Sequence, residues 1–346
     1  MVGKRLKLPL GKVPIEILKE IIYRRSGAKR KEVILGPAVG EDGALVQVGD
    51  KVLVSCMDPI TGALERIGWL AVNINANDVA TFGVSPTFFS SSLLLPENAT
   101  NQTVQTICDQ IDRAARKLEI AVVGGHSEVT PGLTNPIVVG GCMGITEKGR
   151  YVTSGGAESG DKLILTKGAG IEGTAILAAD RHTLLEKRFN TGFLEGAKGF
   201  FKHISVVKEA TLAFKAGGVT AMHDPTEGGV AGGVHEMADA SNVGVQVFEE
   251  KIPVSPETRK ICEFFEIDSM QLISSGALLI SVKPNFAGKV IKVLKRRNIE
   301  ASIIGEILDA PNSRVLVRKD GTKTELARPV SDHLWVALGK GNGGKV

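Results

Sequence analysis

One stretch constrains this chain more than any other. An extended run from Gly218 closes in His223-Asp224-Pro225-Thr226-Glu227-Gly228-Gly229, and Val230, Val234, Met237 and Ala238 then recur at helical spacing. Proline fixes its own φ and disfavours helix in the residue before it, so Asp224 is expected in a turn. Thr226 is the expected N-cap. Gly228, Gly229, Gly232 and Gly233 fall in the first two turns, each costing a helix about 1 kcal/mol against alanine. A helix start that tolerates this is expected to have something pressed against its backbone. The free N–H groups of a helix N-terminus favour anions, and a neighbouring carboxylate suits a phosphate bridged by a hard cation. A plain strand–turn–helix joint, packed closely through small residues, accounts for the same pattern equally well.

The 346 residues suffice for two domains with separate cores. Hydrophobic content of 43% and charged content of 23% are those of an ordinary globular protein. Aromatics at 5% argue against a stacking platform for single-stranded nucleic acid. A net charge of +4 is too small to imply a nucleic-acid partner. The charge is uneven, however: Lys4, Arg5, Lys7, Lys12, Lys19, Arg24, Arg25, Lys29, Arg30 and Lys31 load the N-terminus. They read as a solvated basic arm, or as an attractant for a phosphorylated ligand. Cys56, Cys108, Cys142 and Cys262 are far apart without a CxxC pair, so neither a disulfide framework nor a zinc site is expected. No apolar stretch is of signal-peptide or membrane-spanning type, so a cytoplasmic protein without membrane contact is expected.

Both halves alternate strands and helices, giving an α/β (α+β) class in two domains. The N-terminal domain is expected over residues 1–150 and the C-terminal one over 160–338. Glycine-rich Glu147 to Gly160 serves as linker, and a flexible tail covers 339–346. In the first domain a helix is expected from Pro14 to Arg25, with Ile15, Leu18, Ile21 and Ile22 on one face. A hairpin over Leu45–Val48 and Val52–Cys56 should follow, then a long helix from Glu65 to Phe82. That helix carries an unusual polar load of Asn73, Asn75, Asn77 and Asp78. A strand over Ile120–Val123 is expected to end in the turn Gly124-Gly125-His126-Ser127-Glu128. In the second domain Gly168, Gly170 and Gly173 spell GxGxxG between a strand and a helix. No second parallel strand ending in an acid follows, so a dinucleotide site is disfavoured against a tight turn or a loop near a substrate phosphate.

The stronger chemical signal is a set of acids at strand ends and in glycine-rich loops. These are Glu41 with Asp42, Asp58 before Pro59, Asp78 beside Asn77, Glu128 beside His126, and Asp224 with Glu227. Magnesium and its bound phosphates need oxygen ligands from such groups. Most acids in most proteins merely cap helices and fill turns, but five stations of similar character favour a metal–nucleotide site. His126 could contact phosphate. His235 reads as a packed or surface histidine, and no tri-histidine metal site is spaced here.

Four segments occur in a telling order: Gly40-Glu41-Asp42-Gly43-Ala44, Asn77-Asp78-Val79-Ala80-Thr81-Phe82-Gly83, Val123-Gly124-Gly125-His126-Ser127-Glu128-Val129-Thr130-Pro131-Gly132, and His223-Asp224-Pro225-Thr226-Glu227-Gly228-Gly229. In this the chain resembles the aminoimidazole ribonucleotide (AIR) synthetase, or PurM-like, superfamily from about Gly11 to Leu338. That superfamily includes AIR synthetase, thiamine-monophosphate kinase, selenophosphate synthetase and HypE, and HypE looks nearest. The resemblance implies an N-terminal α/β domain whose sheet pairs with a second subunit into a barrel. It implies ATP and magnesium in a cleft near that homodimer interface, closed by the C-terminal domain. Carried over by motif, Asp42, Asp58, Asp78, Glu128 and Asp224 would be metal or phosphate contacts. Gly40, Asn77, Gly124, Gly125, Thr226 and Gly228 would shape the nucleotide pocket. Asp78, His126 and Asp224 would stand nearest the chemistry.

The implied activity is ATP-dependent phosphorylation or activation of a second substrate, a small molecule or a group borne by a maturation partner protein. The alternatives are an ATP-binding maturation partner without turnover and an AIR-synthetase-like ligase. Two departures matter. The last cysteine is Cys262, so the tail thiol of HypE is missing and its carbamoyl-to-cyanide reaction is not expected in cis. His126 stands where the kinase and HypE members carry aspartate.

Overall fold

The structure, a computed structural model, describes residue 8 and residues 11–62 and 64–339. The expected loose basic start lies outside these apart from Leu8, Gly11 and Lys12, and the expected tail lies outside from residue 340. Gly339 itself closes a final helix, His333–Gly339.

The first sheet has six strands: β1 (Val33–Leu35), β2 (Ala44–Val48), β3 (Lys51–Ile60), β4 (Pro86–Leu95), β5 (Ala121–Val129) and β6 (Ile137–Glu147). They run in the order β1-β2-β3-β6-β4-β5, antiparallel except for β4 with β5. Alternation along β3 buries Val52, Val54 and Cys56, which pack with Val72, Val79, Phe89, Ile107 and Ile111 under helices Ile67–Thr81 and Asn101–Lys117. The expected hairpin is present, but β3 continues four residues beyond Cys56. Past Ser55 only β6 pairs with it among the described residues, so Pro59 breaks no ladder with β2. The expected N-terminal helix is shorter and irregular, an α turn at Ile15–Ile17 passing into a π turn at Leu18–Ile22, with Ile21 and Ile22 half exposed.

The second sheet has seven strands: β7 (Lys162–Thr166), β8 (Val219–His223), β9 (Gly244–Phe248), β10 (Leu279–Val282), β11 (Ala301–Leu308), β12 (Arg314–Val317) and β13 (Lys323–Glu325). Their order is β13-β12-β9-β11-β7-β10-β8. It is covered on both faces: Leu163 and Leu165 belong to one core, Ile164, Met222 and Ile280 to another. Both neighbours of β7 are antiparallel to it. The GxGxxG segment therefore opens no parallel βαβ unit, and a dinucleotide fold is excluded. Its loop is spent on packing, with Ala169 N–H donating to Pro253 O at 2.9 Å and Gly173 N–H to Ile273 O at 3.0 Å.

The Ile67–Thr81 helix joins the two domains. Leu70 and Ile74 pack into one core of the second domain and Ala80 into the other, while Val72 and Val79 face the first sheet. A helix buried all round should be apolar all round, and the polar residues it carries are each accounted for by a partner or by the site.

Candidate functional site

The asparagines hold the frame. Asn73 bonds back to Trp69 O at 2.8 Å. Asn75 fixes β3 at Asp58, accepting from Asp58 N at 2.9 Å and donating to Asp58 O at 3.2 Å. Asn77 reaches across the domain boundary, donating to Ile204 O at 2.9 Å and accepting from Val206 N at 2.8 Å. Both ends of that fully buried amide are engaged, and it lines neither of the cavities described below. Asn77 is thus a domain-joining residue, correcting the expectation that it shapes a nucleotide pocket.

Asp78, one residue on, turns to the cavity instead. Asp42 from the loop before β2, Asp58 from β3, Asp78 from the shared helix and Asp224 after β8 line one cavity of about 630 Å³, together with Glu41, Glu172, Thr226 and Glu227. An adjoining cavity of about 570 Å³ shares Lys12, Asp42 and His223 with it and adds Gly40, Gly228 and Glu236. Both volumes suit a small-molecule site.

Gly40 sits there for a packing reason. Its φ is +73°, and a Cβ would lie 2.4 Å from the Glu236 carbonyl oxygen. The acid loop can approach the Gly229–Ala240 helix so closely only through glycine. That helix is capped differently from the expectation. The N-cap is Gly228 in the left-handed region, not Thr226. Gly228 N–H donates to Asp332 Oδ2 at 2.7 Å, so one free helix donor is already taken by a carboxylate. The same Asp332 receives Leu334 N–H at 2.7 Å and Ile273 N–H at 3.2 Å. Glu41 is also structural in part, accepting from Ser154 N and Gly155 N at 3.0 Å and tying the linker to the loop.

A charged chain crosses the two cavities. His223 Nδ1 lies 2.8 Å from Asp42 and its Nε2 lies 3.0 Å from Glu236, whose other oxygen is 2.5 Å from Lys12 Nζ. Burial pulls the His223 pKa down, but Asp42 and Glu236 outweigh it and hold the imidazolium well above its ordinary range. Burial pushes Glu236 up, but His223 and Lys12 overcome this and bring it down to about 2.

The remaining acids behave oppositely. Burial first, then the charges of Asp58, Asp224 and Asp42, hold Asp78 well above the carboxylate range. Burial and Asp42 do the same to Asp224, against the opposing pull of His223. Asp58 is raised to about 6 by burial, with Lys12 opposing and Asp42 and Glu227 adding. Both carboxylate oxygens of Asp224 are buried without a hydrogen-bond partner. Buried carboxylates crowded in this way need a cation or a proton. Among the described residues no three His, Cys, Asp or Glu side chains are set to hold a metal ion unaided. Mg²⁺ does not need them: it takes one or two carboxylates and completes its shell with water and substrate phosphates.

Gly124, Gly125, His126 and Glu128 are elsewhere. They line neither acid cavity. The expected glycine turn is in fact strand β5, exposed along all nine residues and paired only with β4 among the described residues. His126 Nε2 and Glu128 Oε2 are 3.1 Å apart, and Thr130 donates to the other Glu128 oxygen at 2.9 Å. Within one chain these four residues are therefore separate from Asp42, Asp58, Asp78 and Asp224. His235 is a packed histidine, as expected, buried with Nε2 2.9 Å from Leu326 O. Sequence reading missed Glu172 and Glu236, and named Lys12 only as one of ten basic residues, a solvated arm or an attractant for a phosphorylated ligand. A lysine in a basic run and glutamates inside helices carry no local signal.

Comparison with known proteins decides the family. The N-terminal domain of "AIR synthase related protein" matches residues 40–146 and its C-terminal domain matches residues 158–318. The chain belongs to the AIR synthase related family. A protein named "Putative hydrogenase expression/formation protein" from Methanocaldococcus jannaschii is 30% identical to this chain over 302 residues, covering 85% of this chain and 88% of the relative. Among solved structures, one of a HypE–HypF complex superposes with TM-score 0.75 at 22% identity, covering 90% of this chain and 99% of that one. A structure of hydrogenase maturation protein HypE in complex with ATP gives TM-score 0.70 at 18% identity, covering 94% and 98%. The two-domain, PurM-like mixed α/β fold is that of these HypE structures.

Proposed function

We propose that this AIR synthase related protein binds Mg·ATP in the paired cavities and uses it to phosphorylate or otherwise activate a second substrate. The supporting observation is the convergence of Asp42, Asp58, Asp78 and Asp224, from both domains, on one cavity in which Asp224 has both oxygens unpartnered. Asp78 and Asp224, with Asp42 and Asp58, would hold magnesium together with the phosphates. When bound, the metal supplies charge neutralisation to the transferring phosphoryl group. Lys12, the His223 imidazolium and Arg328 are the positive charges lining the paired cavities among the described residues. Thr226 and the Gly228 turn line the same space. The named ATP complex of HypE and the hydrogenase expression/formation name of the archaeal relative favour this reading. Among the described residues no cysteine lines either cavity, so the group acted on enters from outside.

β5 supplies the rest of the reading. A long exposed edge strand with half-exposed Val122, Val123 and Val129 is a template for pairing. A second copy docked there would form a homodimer and carry His126 and Glu128 toward a neighbouring site. A maturation partner protein is a second candidate for docking, as the HypE–HypF complex gives HypE such a partner. The test is calorimetric titration of Mg·ATP. Wild type should bind, and Asp78→Ala should weaken binding at least tenfold with an unchanged circular-dichroism spectrum. Equal affinities would refute the assignment.

A further inference from the structure

A third cavity, of about 710 Å³, opens elsewhere along the domain joint and shares no lining residue with the two acid cavities. The Mg·ATP reading leaves it unused. The end of helix Asn101–Lys117 lines it from the first domain. From the second domain come residues of the stretch 200–209 and the turn at 167–169, where the GxGxxG spelling begins.

That stretch is firmly held. Lys167 has a left-handed backbone, with φ of +57°, which costs an L-residue roughly 1–2 kcal/mol. Its largely buried ammonium donates to His203 O at 2.8 Å and Ser205 O at 2.9 Å and pairs with Glu209 Oε1 at 2.6 Å, so all three donors are used. Asn77 takes the groups between, Ile204 O and Val206 N. The backbone from His203 to Val206 is thus pinned residue by residue, and the cavity it lines is preformed.

The lining joins two unlike surfaces. Leu118, Ile171, Phe200, Val207 and Ile299 make an apolar floor. Lys117, Lys202 and Lys208 stand exposed around it and form no ion pair among the described residues. Glu119 and Glu300 also line the cavity, so three unpaired lysines against two glutamates leave one positive charge over. The excess lies by His203. Burial pulls its pKa below the ordinary range, then Lys167, Lys117 and Lys202 add to this while Glu209 opposes. The neutral imidazole can still donate one N–H. The floor rewards any apolar body that covers it, by about 25 cal/mol per Å². The lysines reward only an anionic head. A cavity of this size suits a small molecule.

We infer that this cavity binds an amphipathic monoanion, a carboxylate on an apolar chain or ring, with its body over Leu118, Phe200 and Val207 and its head beside His203, Lys117 and Lys202. The inference does not rest on the Mg·ATP reading, and no reaction is assigned to the site.

Calorimetric titration of the intact chain with octanoate, octanol, octylammonium and acetate tests it. Octanoate should bind saturably, one per chain. Octanol and octylammonium keep the body without the anion, acetate keeps the anion without the body, and each should bind at least tenfold more weakly. Lys202→Glu, at an exposed position, should weaken octanoate at least fivefold with an unchanged circular-dichroism spectrum. Lys117→Glu is the second variant. Asp78→Ala, which removes a carboxylate from the acid cavity, should leave octanoate affinity within twofold. Octanol or octylammonium binding as tightly as octanoate overturns the inference. So does saturation by none of the four, unchanged octanoate affinity in both folded lysine variants, or octanoate binding that Asp78→Ala strengthens. Self-association by light scattering that Lys202→Glu abolishes, with no probe bound, would give the cavity to a second copy and overturns it likewise.

Discussion

At the scale of single residues, the site is defined by carboxylates placed where a folded protein alone would not keep them. Asp224 is 1% exposed with neither oxygen bonded, and an unpaired buried carboxylate is destabilising by roughly 1–3 kcal/mol or more. Asp224→Asn should therefore raise the melting temperature of the metal-free protein by a few degrees, about 2–4 °C per kcal/mol. It should also abolish the further rise that Mg·ATP gives wild type. Differential scanning calorimetry with and without Mg·ATP checks both halves, and a variant less stable than wild type without ligand would contradict the first. Glu236 is the converse case. Its folded pKa of about 2 lies below its ordinary value, so the folded state gives up its proton more readily than the unfolded chain. Its stabilisation, at most roughly 3 kcal/mol, is complete above the ordinary carboxylate range and is lost as pH falls toward 2. Glu236→Gln should flatten acid unfolding in that window, read by circular dichroism against pH. An unchanged acid limb would show that the His223–Glu236–Lys12 chain contributes nothing.

At the scale of elements, the Ile67–Thr81 helix decides how the two halves meet. Asn77→Ala strips partners from Ile204 O and Val206 N, both at the buried joint. The expected loss is about 2–4 kcal/mol from two stranded backbone groups, with Mg·ATP affinity changed less than threefold in the folded variant. A urea midpoint unmoved by the substitution would contradict the joint. The same helix shows why the sequence was only partly legible. Its extent and its odd polar load were plain, because periodicity and composition are local. Which polar residue faced the cavity was not, since Asn77 and Asp78 are adjacent and only the position of the second domain separates their roles. The glycine motif after Ile120 misled for a related reason. Gly124 and Gly125 read as a turn, but β4 offers a parallel edge that draws the segment out as β5 through Val129. The acids at Asp42 and Asp224 were readable because glycine and proline mark strand ends, whereas Asp58 stood out beside Pro59 although β3 runs on to Ile60. Glu172 and Glu236 were not, because their meaning comes entirely from distant partners, and nothing local set Lys12 apart from the rest of its basic run.

At the scale of the whole molecule, the separation of His126 and Glu128 from the aspartates has a testable consequence. If β5 of one copy completes the site of another, Asp78→Ala and His126→Ala homodimers are each impaired, yet a mixed dimer holds one site with both lesions and one with neither. Mixing after mild dissociation should restore up to about a quarter of wild-type ATP turnover, from half the dimers having one good site of two. No recovery, with subunit exchange confirmed by mass, would place His126 outside the partner's site. The central claim, that acids from both domains form one magnesium-dependent nucleotide site, is tested most directly by calorimetric titration of ATP into the wild-type protein with Mg²⁺ and again with EDTA. Saturable binding with Mg²⁺ and none with EDTA is the predicted result, because the acid cavity repels a bare triphosphate. Equal binding in both, or binding in neither, would contradict it.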